Sequence, residues 1–87
     1  MTDHIFYYSG QAPGALKNGT RIEKINSKPG DGNRDGTQGT VIGSIGPGQI
    51  DGRPAYGYWV EWDTFPDTPV FVADYRIRPI NSSSDRT

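Results

Sequence analysis

The chain has 87 residues, which suit one domain with a compact core, and aromatic residues make up 11% of it. Nine Lys and Arg against ten Asp and Glu give a formal net charge of −1, so the chain lacks the overall basic excess that favours nucleic acid or an anionic membrane. The absence of cysteine excludes disulfides and thiolate-bound metals.

Residues 1–18 are predicted to form an N-terminal arm or an extra edge strand. Ile5-Phe6-Tyr7-Tyr8 is a β-prone aromatic run, and the Gly, Pro and Asn residues after it interrupt regular structure. The run can pair with the sheet of its own chain or with that of a neighbour, and the sequence leaves both open. The start lacks a signal-peptide pattern and no apolar run reaches membrane-spanning length, so we expect a cytoplasmic protein with no membrane partner.

Residues 19–80 are predicted to form one all-β domain, a small barrel of five strands. The segments with β-prone patterns are 21–25, 40–45, 56–63, 70–73 and 77–80. The stretches 27–39 and 46–54 are rich in Gly and predict loops, while Gly43 predicts a bulge or bend inside the second strand. Asp74-Tyr75-Arg76 predicts a single 3₁₀ turn before the last strand. The polar residues 81–87 predict a disordered tail.

The third strand has two different faces. Tyr58, Val60 and Trp62 alternate on the more apolar face, which we expect to point inward. Trp59 lies on the other face beside Glu61 and is therefore expected to be exposed. The predicted core takes the apolar side of each strand: Val41, Val60, Trp62, Val72, Ile77 and Ile80.

Three features could suggest metal binding or catalysis. Residues 31–36, DGNRDG, resemble the start of a calcium loop, but Ile42 occupies the twelfth position, where an EF-hand requires Glu. His4 is the sole histidine and has too few partners for a metal site or a catalytic triad. Glu61 and Asp63 share a strand face, where solvated charges are the simpler interpretation. We predict no enzymatic activity, no catalytic residue, no metal and no cofactor.

The aromatic and arginine residues near the last two strands predict a binding surface. Trp59, Tyr75, Arg76 and Arg78 form the candidate site, because Trp and Tyr bury much area and Arg adds directional hydrogen bonds. The predicted partner is a protein or a peptide. The alternative is that Trp59 covers one end of the barrel and Tyr75 packs in the corner.

A nucleic-acid partner is the second hypothesis. Arg76 and Arg78, with Arg21 and Lys24, could form a local basic patch for a phosphate backbone, with an aromatic ring stacking on a base. The competing interpretation is that these cations form salt bridges with nearby carboxylates. The candidate partners of those bridges are Glu23, Glu61 and Asp74.

The order of motifs resembles an SH3-like small barrel over residues 19–80. NRDGTQGTVIGSI followed by VEWD is similar to mind-bomb-type domains, which implies binding of partner proteins. GYWVE, a proline-containing turn and PVFVADYRIRPI are similar in layout to type II dihydrofolate reductases. Those enzymes carry Val-Gln-Ile-Tyr in the fourth strand, where this chain has Val70-Phe71-Val72-Ala73, so a reductase is the distant alternative.

Overall fold

The β-prone segments form strands in the computed structural model, which describes residues 9–80. The elements are β1 (Arg21–Lys24), β2 (Gln38–Ile50), β3 (Arg53–Trp62), β4 (Val70–Ala73), a 3₁₀ turn (Asp74–Arg76) and β5 (Ile77–Pro79). The all-β class, the five strands and the 3₁₀ turn are as predicted. The aromatic run at residues 5–8 and the tail at residues 81–87 lie outside the described residues.

The five strands form one antiparallel sheet in the order β4-β3-β2-β1-β5. Its edges are β4 and β5, which do not pair with each other within residues 9–80, so the sheet is open. The pairing of β2 with β3 shifts register between Val41 and Gly43, which confirms the predicted irregularity at Gly43. A second shift lies between Ile45 and Gly48. Each shift adds local bending to the longest strand of the sheet.

The predicted loop at 46–54 is wrong, because β2 and β3 continue as one long hairpin. Gly48 pairs with Ala55, and Ile50 pairs with Arg53. The two residues between them are Asp51 and Gly52, with φ angles of 53° and 78°. An Asp-Gly pair with both φ angles positive is typical of the tight turn that matches the twist of a β-hairpin. The hairpin therefore extends well beyond the core.

The core lies on the face of β3 that the alternation predicted. Its buried members are Ile22, Val41, Tyr58, Val60, Trp62 and Ile77, and Val72 packs against them while partly buried. Val60 is completely buried, which confirms the assumed register. Ile80 is only half-buried and lies outside this cluster, because it follows the last residue of the edge strand β5.

The prediction that Trp59 is exposed is wrong. Trp59 does lie on the face opposite the core, but only 7% of it is exposed. The ring of Phe71, its partner residue on β4, meets it edge-on with 4.9 Å between ring centroids. Gly57 makes this arrangement possible, since a Cβ atom there would overlap the Phe71 ring. Both faces of β3 are thus covered.

The segment before β1 packs across one end of the sheet. The N–H of Ala12, which is buried, donates to Ser44 Oγ at 2.9 Å, and the N–H of Leu16 donates to the Tyr58 hydroxyl at 2.9 Å. The N–H of Ser44 donates to the carbonyl of Gly10 at 2.8 Å. Burial raises the pKa of the Tyr58 hydroxyl. The described part of the predicted arm, residues 9–18, is therefore joined to β2 and β3.

Candidate functional site

A cavity of about 410 Å³ lies beside the edge strand β4. All four residues of Val70–Ala73 line it, and Ile50 and Asp51 of the β2–β3 hairpin also contribute to its wall. Residues 31–33 add a further part of the wall. Within residues 9–80, β4 pairs only with β3, so the cavity runs along an open strand edge. We call this cavity the β4 groove.

The β4 groove is lined mainly by apolar side chains. Trp62 belongs to the core cluster and also reaches the groove, while Phe65 and Phe71 are 60% and 44% exposed at its wall. The Phe65 N–H donates to the Trp62 carbonyl at 2.9 Å, which holds the turn after β3 in place. Exposed aromatic rings beside an open strand edge are a common feature of recognition surfaces.

A buried lysine connects the groove to the loop after β1. Lys24 is only 5% exposed, and its Nζ lies 3.0 Å from Asp31 Oδ2 and 2.9 Å from Ser27 Oγ. The Lys28 N–H and the Lys24 ammonium hold the pKa of Asp31 below its ordinary value. The Ser27 hydroxyl and N–H do the same for the pKa of Asp35.

Both carboxylates of the calcium-like loop thus have bonding partners within the protein. Among residues 9–80, no group of three or more His, Cys, Asp or Glu side chains is placed to hold a metal ion. The loop that carries Asp31 is instead attached to β1 through Lys24. This attachment places residues 31–33 at the groove.

Tyr75 also lines a second cavity, of about 390 Å³. We call it the Tyr75 pocket. Its lining residues are Asn26, Lys28, Asp51, Arg53, Tyr75 and Arg76. Asp51, Tyr75 and Arg76 also line the β4 groove, so the two cavities share a wall.

Two arginines lie over the Tyr75 ring. The guanidinium carbon of Arg53 is 4.1 Å from the ring centroid and that of Arg76 is 5.3 Å from it. Arg76 also donates to the Asn26 carbonyl. The Tyr75 hydroxyl donates to Asp51 Oδ2 at 2.6 Å, and this bond raises the pKa of Tyr75.

Among the described residues, the cations of the Tyr75 pocket form no ion pair with a carboxylate. The ion pairs of residues 9–80 are Arg21–Asp63 at 2.6 Å, Lys24–Asp31 at 3.0 Å and Arg78–Glu23 at 2.5 Å. Lys28, Arg53 and Arg76 occur in none of them within this described range. The only carboxylate lining the pocket, that of Asp51, accepts the Tyr75 hydroxyl bond. The pocket therefore has an excess of positive charge.

The predicted site residues occupy three different places. Tyr75 and Arg76 come together in the Tyr75 pocket. Trp59 lies against Phe71 and lines neither cavity, and Arg78 pairs with Glu23 across β1 and β5. The salt-bridge interpretation of Arg78 is confirmed, and the basic patch with Arg21 and Lys24 does not form, because each of those two has its own carboxylate partner.

Sequence reasoning missed Arg53, Phe65 and Phe71. The Asp51-Gly52 pair was the available signal for Arg53, since a hairpin turn there extends β2 and β3 and projects Arg53 beside Tyr75. No short-range pattern places Phe65 or Phe71 at a cavity.

Comparison with protein-family models, with curated proteins and with solved structures gives no significant match to this chain. Within residues 9–80, no helix has the length and apolar composition needed to cross a membrane. The β4 groove and the Tyr75 pocket are thus the features from which a function can be inferred.

Proposed function

We propose that this chain is a non-enzymatic protein-interaction module that binds an extended peptide in the β4 groove. The observation that carries the proposal is the coincidence of an open strand edge with an apolar cavity along all of β4. A peptide strand that adds to such an edge gains main-chain hydrogen bonds, while its alternate side chains can enter the cavity. Phe65 and Phe71 would supply aromatic contact area.

We propose further that the domain is a variant of the SH3-like small barrel. Support comes from the strand order, from the two irregularities that bend β2, and from the single 3₁₀ turn between the last two strands. Small barrels of this kind bind partners of several classes, so the choice of a peptide depends on the groove and not on the fold.

Nucleic acid is the second candidate partner, and it is favoured by the two arginines around Tyr75, which form no ion pair within residues 9–80. Base stacking, however, needs a free aromatic face, and Arg53 lies over the Tyr75 ring at 4.1 Å. The formal net charge of −1 also gives little long-range attraction for a phosphate backbone. The peptide is therefore the better-supported partner.

The proposal is tested by selecting binders from a random-sequence peptide library and mapping the bound peptide by amide chemical shifts. We expect shifts at Val70–Ala73, at Ile50 and Asp51, and at residues 31–33. Shifts confined to β5 or to residues 9–18, or the failure of every peptide to bind, would overturn the proposal. Binding to single-stranded oligonucleotides that weakens steeply with salt would favour the second candidate instead.

A matched pair of variants tests the groove itself. Phe65→Ala should weaken a selected peptide by roughly 2 kcal/mol, because an exposed aromatic at the centre of an interface carries much of the binding energy. Ile45→Ala is the control, since Ile45 is also a large exposed apolar residue but lines neither cavity. Equal affinities of the two variants would argue against the groove.

A further inference from the structure

The Tyr75 pocket adjoins the β4 groove through three shared residues, Asp51, Tyr75 and Arg76. A peptide lying along β4 would therefore pass its side chains close to the opening of this pocket. Extended peptides point alternate side chains in opposite directions, so one residue can enter the apolar groove while a neighbour reaches the pocket.

The two guanidinium groups of the pocket are held in place, and neither forms an ion pair within residues 9–80. The Tyr75 ring lies under both of them, and the Asn26 carbonyl accepts a hydrogen bond from Arg76. Lys28 adds a third cation to the lining. Arg presents several N–H donors in a planar fork that matches a carboxylate or a phosphate. Partial preorganisation lowers the entropic cost of using those donors.

We infer that the Tyr75 pocket binds an anionic side chain of the partner peptide, either a carboxylate or a phosphate. This inference rests on the proposed function of the β4 groove and names the chemistry of the peptide that binds there. Three cations against one hydrogen-bonded carboxylate favour an anion and disfavour a Lys or Arg side chain. The partner is thus an extended segment in which apolar residues stand beside an acidic or phosphorylated one.

The test compares three forms of a peptide selected for groove binding, with Glu, Gln or phosphoserine at the position nearest the pocket. We expect the Gln form to bind about tenfold more weakly than the Glu form, as for the loss of one charge-assisted hydrogen bond. The ratio of the Glu and phosphoserine affinities identifies which anion the pocket prefers. Equal affinities of all three forms would overturn the inference.

Charge variants of the protein show which of its residues cause the preference for the anionic peptide. Arg53→Gln should reduce the preference for the Glu form over the Gln form, because Arg53 is an exposed cation of the pocket lining. Lys17→Gln is the matched control, since Lys17 is an exposed cation that lies outside both cavities. An equal loss of preference in both variants would show a general charge effect and would overturn the assignment of the pocket.

Asp51→Asn is a gain-of-affinity test that an unfolded protein could not mimic. The Asn oxygen can still accept the Tyr75 hydroxyl bond, and Asn tolerates the positive φ of 53° at this position. Removal of the only carboxylate of the pocket should tighten binding of the Glu peptide on the order of fivefold. Weaker binding or no change in this variant would contradict an anion site.

Titration with inorganic phosphate at constant ionic strength separates this inference from the proposed function. Saturable amide shifts at Arg53, Tyr75 and Arg76 that Arg53→Gln removes would support the anion site. If peptides bind the groove without any charge preference and phosphate causes no shifts, the inference fails and the proposed function stands. If no peptide binds the groove, the proposed function fails, and the inference about the peptide side chain fails with it.

Discussion

The Tyr75 hydroxyl donates a hydrogen bond of 2.6 Å to Asp51 Oδ2, and this bond joins the 3₁₀ turn to the tip of the β2–β3 hairpin. Both residues line the β4 groove and the Tyr75 pocket. The bond therefore belongs to the wall that the two cavities share. A change in either residue should alter both cavities.

The first prediction concerns the titration of Tyr75. Its pKa should lie above the ordinary value of 10.0, because the hydrogen bond to Asp51 stabilises the neutral hydroxyl. Asp51→Asn should lower the pKa of Tyr75, since the carboxylate charge is removed. Site-resolved NMR of the tyrosine rings during a pH titration measures this, and the raised pKa of Tyr58, which comes mainly from burial, serves as the internal control. An unchanged Tyr75 pKa in the variant would show that the Asp51 charge does not act on the Tyr75 hydroxyl in solution.

The raised pKa of Tyr75 also affects the stability of the fold at high pH. The pKa of Tyr75 is higher in the folded than in the unfolded chain, so its stabilising contribution is fully present below about pH 10. That contribution is lost as the pH rises through the folded-state pKa. Tyr75→Phe should show a shallower loss of stability in this range than the wild type, as measured by urea unfolding.

The second prediction concerns stability in acid. The side-chain hydrogen bonds from Arg21 to Asp63, at 2.6 and 2.9 Å, hold the pKa of Asp63 below the ordinary 3.8. Asp31 and Asp35 are shifted in the same direction. A lowered pKa stabilises the folded state above the unfolded-state pKa, so stability should fall as the pH drops below about 4. The urea midpoint measured against pH checks this.

Asp63→Asn is the control for the acid prediction. It should be slightly less stable than the wild type near neutral pH, because an exposed ion pair contributes little. Its stability should also fall less steeply in acid, since one of the titrating groups is gone. Parallel curves for the variant and the wild type would exclude a role for Asp63.

The third prediction concerns the core at Val60. Val60→Ala should lower the free energy of unfolding by about 1 to 3 kcal/mol, through lost burial and a residual cavity. Ile45→Ala, at an exposed position, should change it by only about 0.5 kcal/mol or less. Urea denaturation measures both. Equal effects would contradict the position of Val60 in the centre of the core.

The fourth prediction concerns Trp59 and Phe71, whose ring packs against it. Trp59→Ala should lower the free energy of unfolding by about 3 kcal/mol, as for other buried Trp residues. Phe71→Ala should leave the chain folded but expose the indole to water and shift the tryptophan emission to longer wavelength. Emission at the wild-type wavelength from folded Phe71→Ala would show that Phe71 does not cover Trp59.

The fifth prediction concerns the buried lysine. Asp31→Asn should destabilise the fold, because it removes the ion-pair partner of the buried Lys24 ammonium, while the Asn oxygen can still accept the Lys28 N–H. Adding Lys24→Met should recover stability, because a buried charge is replaced by an apolar side chain of similar length. Thermal unfolding of the two single variants and the double variant completes a cycle. A double variant less stable than Asp31→Asn would contradict the burial of the Lys24 charge beside Asp31.

Much of the fold follows from local patterns. The alternation of apolar residues in β3 predicts the inward face that Val60 and Trp62 occupy. The proline-containing segment between β3 and β4 and the 3₁₀ turn between β4 and β5 lie where the sequence predicts them. The length of the hairpin is also encoded locally, in the Asp51-Gly52 turn. Of the four predicted site residues, Tyr75 and Arg76 line the two cavities, whereas Trp59 and Arg78 do not.

The sequence by itself determined the all-β class, the number of strands and the core face, because strand period and turn chemistry act between near neighbours. Only the tertiary structure decided which outward residues are covered and which cations of residues 9–80 form ion pairs. Phe71 on β4 covers Trp59 on β3. Glu23 on β1 pairs with Arg78 on β5. Arg53 and Arg76 both lie over the Tyr75 ring. These contacts depend on strand order and hairpin length, which bring together residues far apart in the chain.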